Sequence, residues 1–369
     1  MRTRFAILLP ALLLLLSLCL LPAPARAAEL DTMIGQMILA GFRGFSVNDE
    51  ATIVRDIRER HLGGVILFDY DVALGRAERN IRTKAQVRKL IDELKAQADI
   101  PLLVAVDQEG GKVQRLKKAY GFTETDSAAD LGASGDEAVR TAGATVGETL
   151  SAVGFNLDFA PVVDVNVNPN SPAIGKLGRS FSSDPEQVAH CAALFMDGMH
   201  AEGVLSCLKH FPGHGSAGSD SHKGLTDVTD TWSEAELVPY RKLIASGKVD
   251  MIMTAHIFNA HLDSKYPATL SRKVITDLLR GRLGYQGVIV TDDMDMGAIA
   301  DEFGRREAVR RAIEAGADIL LFGNNLAYDE HIVEKVHAVI RSLVDDGTIS
   351  PARIEQSYER IMRLKASLG

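Results

Sequence analysis

Cysteine is scarce in this chain: three in 369 residues, none in a close Cys pair, so neither a thiolate metal site nor a disulfide scaffold is indicated. There is no basic surplus, since 41 Lys and Arg face 49 Asp and Glu for a net charge of −8. No Lys/Arg block tracks a phosphate backbone, which argues against nucleic acid as a partner. Phosphate fingerprints are missing too: Gly110-Gly111 has the spacing of neither a dinucleotide motif nor a P-loop, and no cofactor is expected. Beyond the N-terminus there is no internal repeat, no low-complexity segment and no composition break that would mark a linker.

The balance that remains, 46% hydrophobic and 24% charged, is that of a globular protein with a sizeable core. Arg2 and Arg4 precede an apolar run over residues 5–21, then Pro22, Pro24 and the small-residue pattern Ala25-Arg26-Ala27. This reads as a signal peptide over 1–27, cleaved before Ala28, with export to the periplasm or exterior and no stable membrane anchor afterwards. The competing reading is an uncleaved anchor, because the run is about as long as a short membrane-spanning helix. Cys19 follows Leu18 rather than a small residue, which argues against lipid attachment. Cys191 and Cys207 could pair in an oxidising compartment, but their apolar settings point to two buried thiols.

Short apolar runs at 36–40, 64–68, 102–106, 157–161, 204–208, 251–255, 288–290 and 319–322 read as strands. Amphipathic stretches at 83–98, 137–153, 185–202, 233–246, 273–280 and 305–315 read as helices, and 330–344 and 351–368 as two C-terminal ones. Strands that are apolar throughout and alternate with helices predict a parallel sheet covered by helices. Eight of them predict a single α/β domain over 28–369, a (β/α)8 TIM-type barrel with C-terminal helices.

Polar residues cluster just after the strand runs: Asp107-Gln108-Glu109, Asp164 and Asn166, Lys209-His210, His256, Asp292-Asp293 and Asn324-Asn325. In a barrel these ends share the face that carries the chemistry. The stretch from Lys209 through Pro212-Gly213-His214-Gly215 to Asp220-Ser221-His222 packs three His, one Lys and one Asp among Gly and Pro, and is expected to be a shaped loop.

Asp292, where an apolar strand opens onto that face, is a candidate nucleophile; the plainer reading makes Asp292 or Asp293 a helix cap. Asp220, two residues from His222, can hydrogen-bond its ring and make a proton donor and acceptor near neutral pH. The three histidines invite a metal, but Lys209 would repel a cation and the spacing fits no metal motif, so none is expected. Lys209 and His210 read as donors to a polyhydroxy or anionic ligand, and Asp107 and Arg179 as further pocket residues. The plainer alternatives are a Lys paired to a nearby acid and a surface Arg.

Taken together, Asp107-Gln108-Glu109-Gly110-Gly111, Gly178-Arg179-Ser180-Phe181, residues 209–222 and Thr291-Asp292-Asp293-Met294 resemble family 3 glycoside hydrolases, in their β-N-acetylglucosaminidase branch. The resemblance implies retaining, exo-acting release of terminal β-linked N-acetylglucosamine through a covalent glycosyl-enzyme. It implies Asp292 as nucleophile, His222 oriented by Asp220 as acid and base, and Asp107, Arg179, Lys209 and His210 on sugar hydroxyls.

The export signal differs from the cytoplasmic wall-recycling role common in the branch and points to muropeptide or chitin fragments outside the cytoplasm. With the chain ending soon after the barrel, barrel loops alone are expected to shape the site. A β-glucosidase or β-xylosidase of the same family, a phosphorolytic N-acetylglucosaminidase and a catalytically silent sugar-binding barrel are the other readings.

Overall fold

A computed structural model of the chain describes residues 23–220 and 224–368. The apolar N-terminal run and His222 lie outside these described residues. The expected cleavage point before Ala28 falls within the first described helix, Ala23–Gln36.

Eight strands form one parallel sheet: β1 Ile38–Gly41, β2 Gly64–Ile66, β3 Leu103–Val106, β4 Leu157–Asp158, β5 Leu205–Phe211, β6 Met251–Thr254, β7 Val288–Val290 and β8 Leu320–Phe322. Their order around the sheet is β7-β6-β5-β4-β3-β2-β1-β8. A parallel bridge between Val290 and Ile319, with Thr291 N donating to Ile319 O at 3.0 Å, brings the two ends together. This is the expected (β/α)8 barrel, and all eight anticipated strands are present. Every strand residue is buried, because helices cover the outside and side chains fill the inside.

Local chemistry sets the helix starts. Thr83 caps Lys84–Lys95 by accepting from Gln86 N. Asp184 and Ser350 cap Pro185–Ala201 and Pro351–Lys365, each with proline at the first turn, where a missing N–H costs nothing. The last helix closes the N-terminal end of the barrel, where Lys365 Nζ donates to Gln36 Oε1 at 2.6 Å and Gly63 O at 2.7 Å. Cys191 and Cys207 are buried and unpaired, as their settings suggested.

One boundary differs in a way that matters. β5 extends through Phe211, so Lys209 and His210 belong to a strand and the loop begins only at Pro212. The ladder to β6 shifts register between Leu208 and Phe211. Such an irregularity re-aims side chains at a barrel mouth without ending the strand.

Candidate active site

A cleft of about 220 Å³ opens at the C-terminal mouth of the barrel. Asp107, Arg179, Lys209, His210 and Asp292, five of the seven residues singled out from the sequence, line it together. Asp220 is partly buried in the loop after β5 and is not part of this lining.

The wall after β3 is a small hairpin. Residues Gln108–Gly110 pair antiparallel with Val113–Gln114 around Gly110-Gly111, whose φ angles are 96° and 55°. A side chain at Gly110 would also meet Asp126 O at 2.4 Å, so glycine is required both for the turn and for the close approach. The hairpin returns Arg115 to Asp107, Nη2 to Oδ2 at 3.3 Å, while Gln108 Oε1 holds the amides of Arg115 and Leu116.

Lys209 Nζ bridges two carboxylates, 2.8 Å from Asp107 Oδ1 and 2.7 Å from Glu109 Oε1. Arg179 grips Glu109 at two points and donates from Nη1 to Ala173 O at 2.9 Å. Burial alone would raise the Glu109 carboxyl, but Arg179 and Lys209 outweigh it and hold it at about 2. Burial likewise works to lower Lys209, and Asp107 and Glu109 reverse it to well above the usual lysine range. The cluster therefore stays ionised throughout the neutral range, presenting fixed charge-assisted donors and acceptors to whatever enters.

His210 is oriented from behind. Its Nδ1 lies 2.7 Å from Asp164 Oδ2, so the Nδ1 proton is committed there, and Nε2 faces Arg179 Nη2 at 3.4 Å as an acceptor. Asp164 Oδ1 also accepts from the amides of His210 and His214. Although burial acts to raise it, His210 and its other donors hold Asp164 below the ordinary carboxylate range.

Asp292 follows β7, with Oδ1 accepting from Asp293 N at 2.8 Å. Neither aspartate caps the following helix, Gly297–Phe303, whose N-cap position is Met296 with no side-chain bond. Asp293 instead accepts from Asp295 N and Gly323 N, tying the loop after β7 to that after β8. Burial, then Asp295, pushes its carboxyl up to about 7.

Three polar residues expected at the reactive face do other work. Buried His256 reaches Asp293 O with Nε2 and Thr269 Oγ1 with Nδ1, bracing the backbone beside Asp292. Asn324 and Asn325 hold backbone at Gly41, the end of β1, and at Asp329, Tyr70 and Val72. Glu109, Arg115 and Asp164 were not singled out as site residues. The first and last stood in flagged polar runs, whereas Arg115 had no signal beyond its place past a Gly-Gly turn.

Among the described residues no group of three or more His, Cys, Asp or Glu could hold a metal ion. The site offers a carboxylate, Asp292, in the same cleft as a charged constellation suited to several hydroxyls.

The family model described as "Glycosyl hydrolase family 3 N terminal domain" matches residues 29–364. A beta-hexosaminidase of Tolumonas auensis is 40% identical over 277 residues, covering 73% of this chain and 78% of its own. Beta-hexosaminidase A of Pseudoalteromonas piscicida is 36% identical over 331 residues, covering 83% of this chain and 54% of its own. The solved family 3 beta-N-acetylglucosaminidase of Paenibacillus sp. FPU-7 superposes with a TM-score of 0.83 at 38% identity, over 92% of this chain and 62% of that one. The chain thus spans just over half of the Pseudoalteromonas relative and less than two thirds of the Paenibacillus structure.

Proposed function

The chain belongs to glycosyl hydrolase family 3, and from that premise we propose that it removes terminal β-linked N-acetylglucosamine from saccharides by a retaining, two-step displacement. The observation that carries this reading is one cleft lined by Asp292 together with Asp107, Arg179, Lys209 and His210. A carboxylate at a barrel mouth can attack the anomeric carbon and form a glycosyl ester. The ion cluster beside it supplies preset donors and acceptors for the sugar hydroxyls, and ordering them costs little when the substrate binds.

His222, oriented by Asp220, is assigned the proton transfers: to the leaving oxygen in the first step, from water in the second. An imidazole becomes neutral on giving up its proton, so it adds no negative charge beside the ester, whereas a carboxylate would. Relatives described as hexosaminidases support the acetamido sugar. The expected leader over residues 1–27 supports exported wall or chitin fragments as substrate. No helix among the described residues is long and apolar enough to cross a membrane.

The test is chromophore release from aryl β-N-acetylglucosaminide and aryl β-glucoside, with Asp292→Ala alongside. Rapid turnover of the acetamido sugar, lost in the variant, is expected. Preference for the glucoside would overturn the sugar assignment, and turnover of neither would favour a binding barrel.

A further inference from the structure

We propose that Glu236, which lies outside the cleft lining, is the positioning residue for His210, acting through the turn at 213–216 and Asp164. The inference deepens the proposed sugar site, taking His210 as one of its ligands.

The turn is pinned by two buried carboxylates through successive amides. Asp164 Oδ1 accepts from His214 N at 2.7 Å, and Glu236 Oε2 accepts from Gly215 N at 2.9 Å. Glu236 is fully buried in the short helical segment Glu234–Leu237. Its side chain presses on the turn as well: a Cβ at Gly213, where φ is 122°, would fall 2.6 Å from Glu236 Cβ. On the other side the turn has no slack, since a Cβ at Gly215 would lie 1.7 Å from Val165 O. Trp232 Nε1 holds the entry to the turn through Pro212 O at 3.1 Å.

This geometry joins Glu236 to the cleft in three contacts. Glu236 fixes Gly215, the same turn presents His214 N to Asp164, and Asp164 fixes His210 Nδ1. If the turn shifts, Asp164 must choose between following His214 and holding the imidazole. His210 Nε2, facing Arg179, then leaves the position where it meets a hydroxyl.

The link is sensitive to charge. The titratable groups that act on Glu236 are Asp164 and, on the helix Val238–Ser246, Tyr240. Burial raises the Glu236 carboxyl to about 7, with Asp164 adding to the rise and Ser216 and Gly215 opposing it. Burial and His210 push His214, on the turn itself, down to about 4, so it is neutral near pH 7. Across the neutral range Glu236 therefore passes from a weak to a strong acceptor for the turn, while Tyr240 stays protonated because burial raises it.

The experiment compares wild type, Glu236→Ala and Glu236→Gln, each checked for folding by thermal unfolding. The readouts are KM and kcat on aryl β-N-acetylglucosaminide from pH 5.5 to 8.5, and the His210 imidazole signals of the free proteins by NMR. Loss of the acceptor in Glu236→Ala should raise KM about tenfold, the worth of one hydrogen bond to a charged group, with kcat changed much less. Glu236→Gln keeps an acceptor and should recover most of KM near pH 7 while removing the neutral inflection from both the KM profile and the His210 signals. Unchanged His210 signals and an unchanged pH profile in folded Glu236→Gln would overturn the proposal. The NMR titration needs no substrate, so it reads Glu236 even if the enzyme's sugar has been misassigned.

Discussion

Arg179 and Glu109 meet in a two-point ion pair, Nε to Oε2 and Nη2 to Oε1, each 2.7 Å long. That geometry needs the planar fork of a guanidinium, since lysine offers only a point charge. Arg179→Lys should keep the net charge of the cleft yet lower kcat/KM on the aryl glucosaminide by about 30-fold, the equivalent of about 2 kcal/mol for a buried charge-assisted contact. A variant within about twofold of wild type would mean that the fork is dispensable and that Lys209 alone sets Glu109.

Asp158 offers a prediction about pH. Its carboxyl is fully buried at the end of β4; Oδ1 accepts from Gln108 N at 2.9 Å, and Oδ2 has no hydrogen-bond partner among the described residues. Burial, opposed by the Gln108 amide and Lys209, raises it from 3.8 to about 8. The folded protein thus keeps a proton that the unfolded chain releases near pH 4. That contribution to stability is complete below the unfolded value and declines as pH rises from about 4 to 8, by at most about 1.4 kcal/mol per pH unit. Asp158→Asn, which is neutral at every pH, should remove this slope. Urea unfolding at pH 5 and pH 8 measures it, and equal wild-type minus variant differences at the two values would refute the assignment.

At the opposite end of the barrel, Asp318 is fully buried and joins three elements. Its oxygens accept from Arg280 Nη2 at 2.6 Å, Ser357 Oγ at 2.9 Å, Ile289 N at 3.0 Å and Arg360 Nη1 at 3.1 Å. Asp318→Ala leaves largely buried guanidinium groups uncompensated and should cost about 3–5 kcal/mol of unfolding free energy with little change in kcat. A loss below about 1 kcal/mol in denaturant titration would show that the arginines find water instead.

What could be read from the sequence divides along physical lines. The strands were legible because a covered parallel sheet demands apolar residues on both faces, and runs such as 102–106 and 288–290 satisfy that demand locally. The C-terminal face was legible for a related reason, since polar groups that follow such runs have nowhere else to go. Asp107, Lys209 and Asp292 were found in this way. The same rule gathered in His256, Asn324 and Asn325, which turned out to hold backbone of neighbouring elements, His256 also reaching Thr269 Oγ1.

The sequence by itself therefore determined the barrel, its strands and most of the polar runs at its mouth, because periodicity and burial are properties of contiguous residues. Only the tertiary structure decided what each group does. A hairpin turn returns Arg115 to Asp107, a register shift keeps Lys209 and His210 within β5, and residues 46 positions apart become the Asp164–His210 pair. Such pairings depend on where strands end in space, and spacing along a chain does not encode that distance.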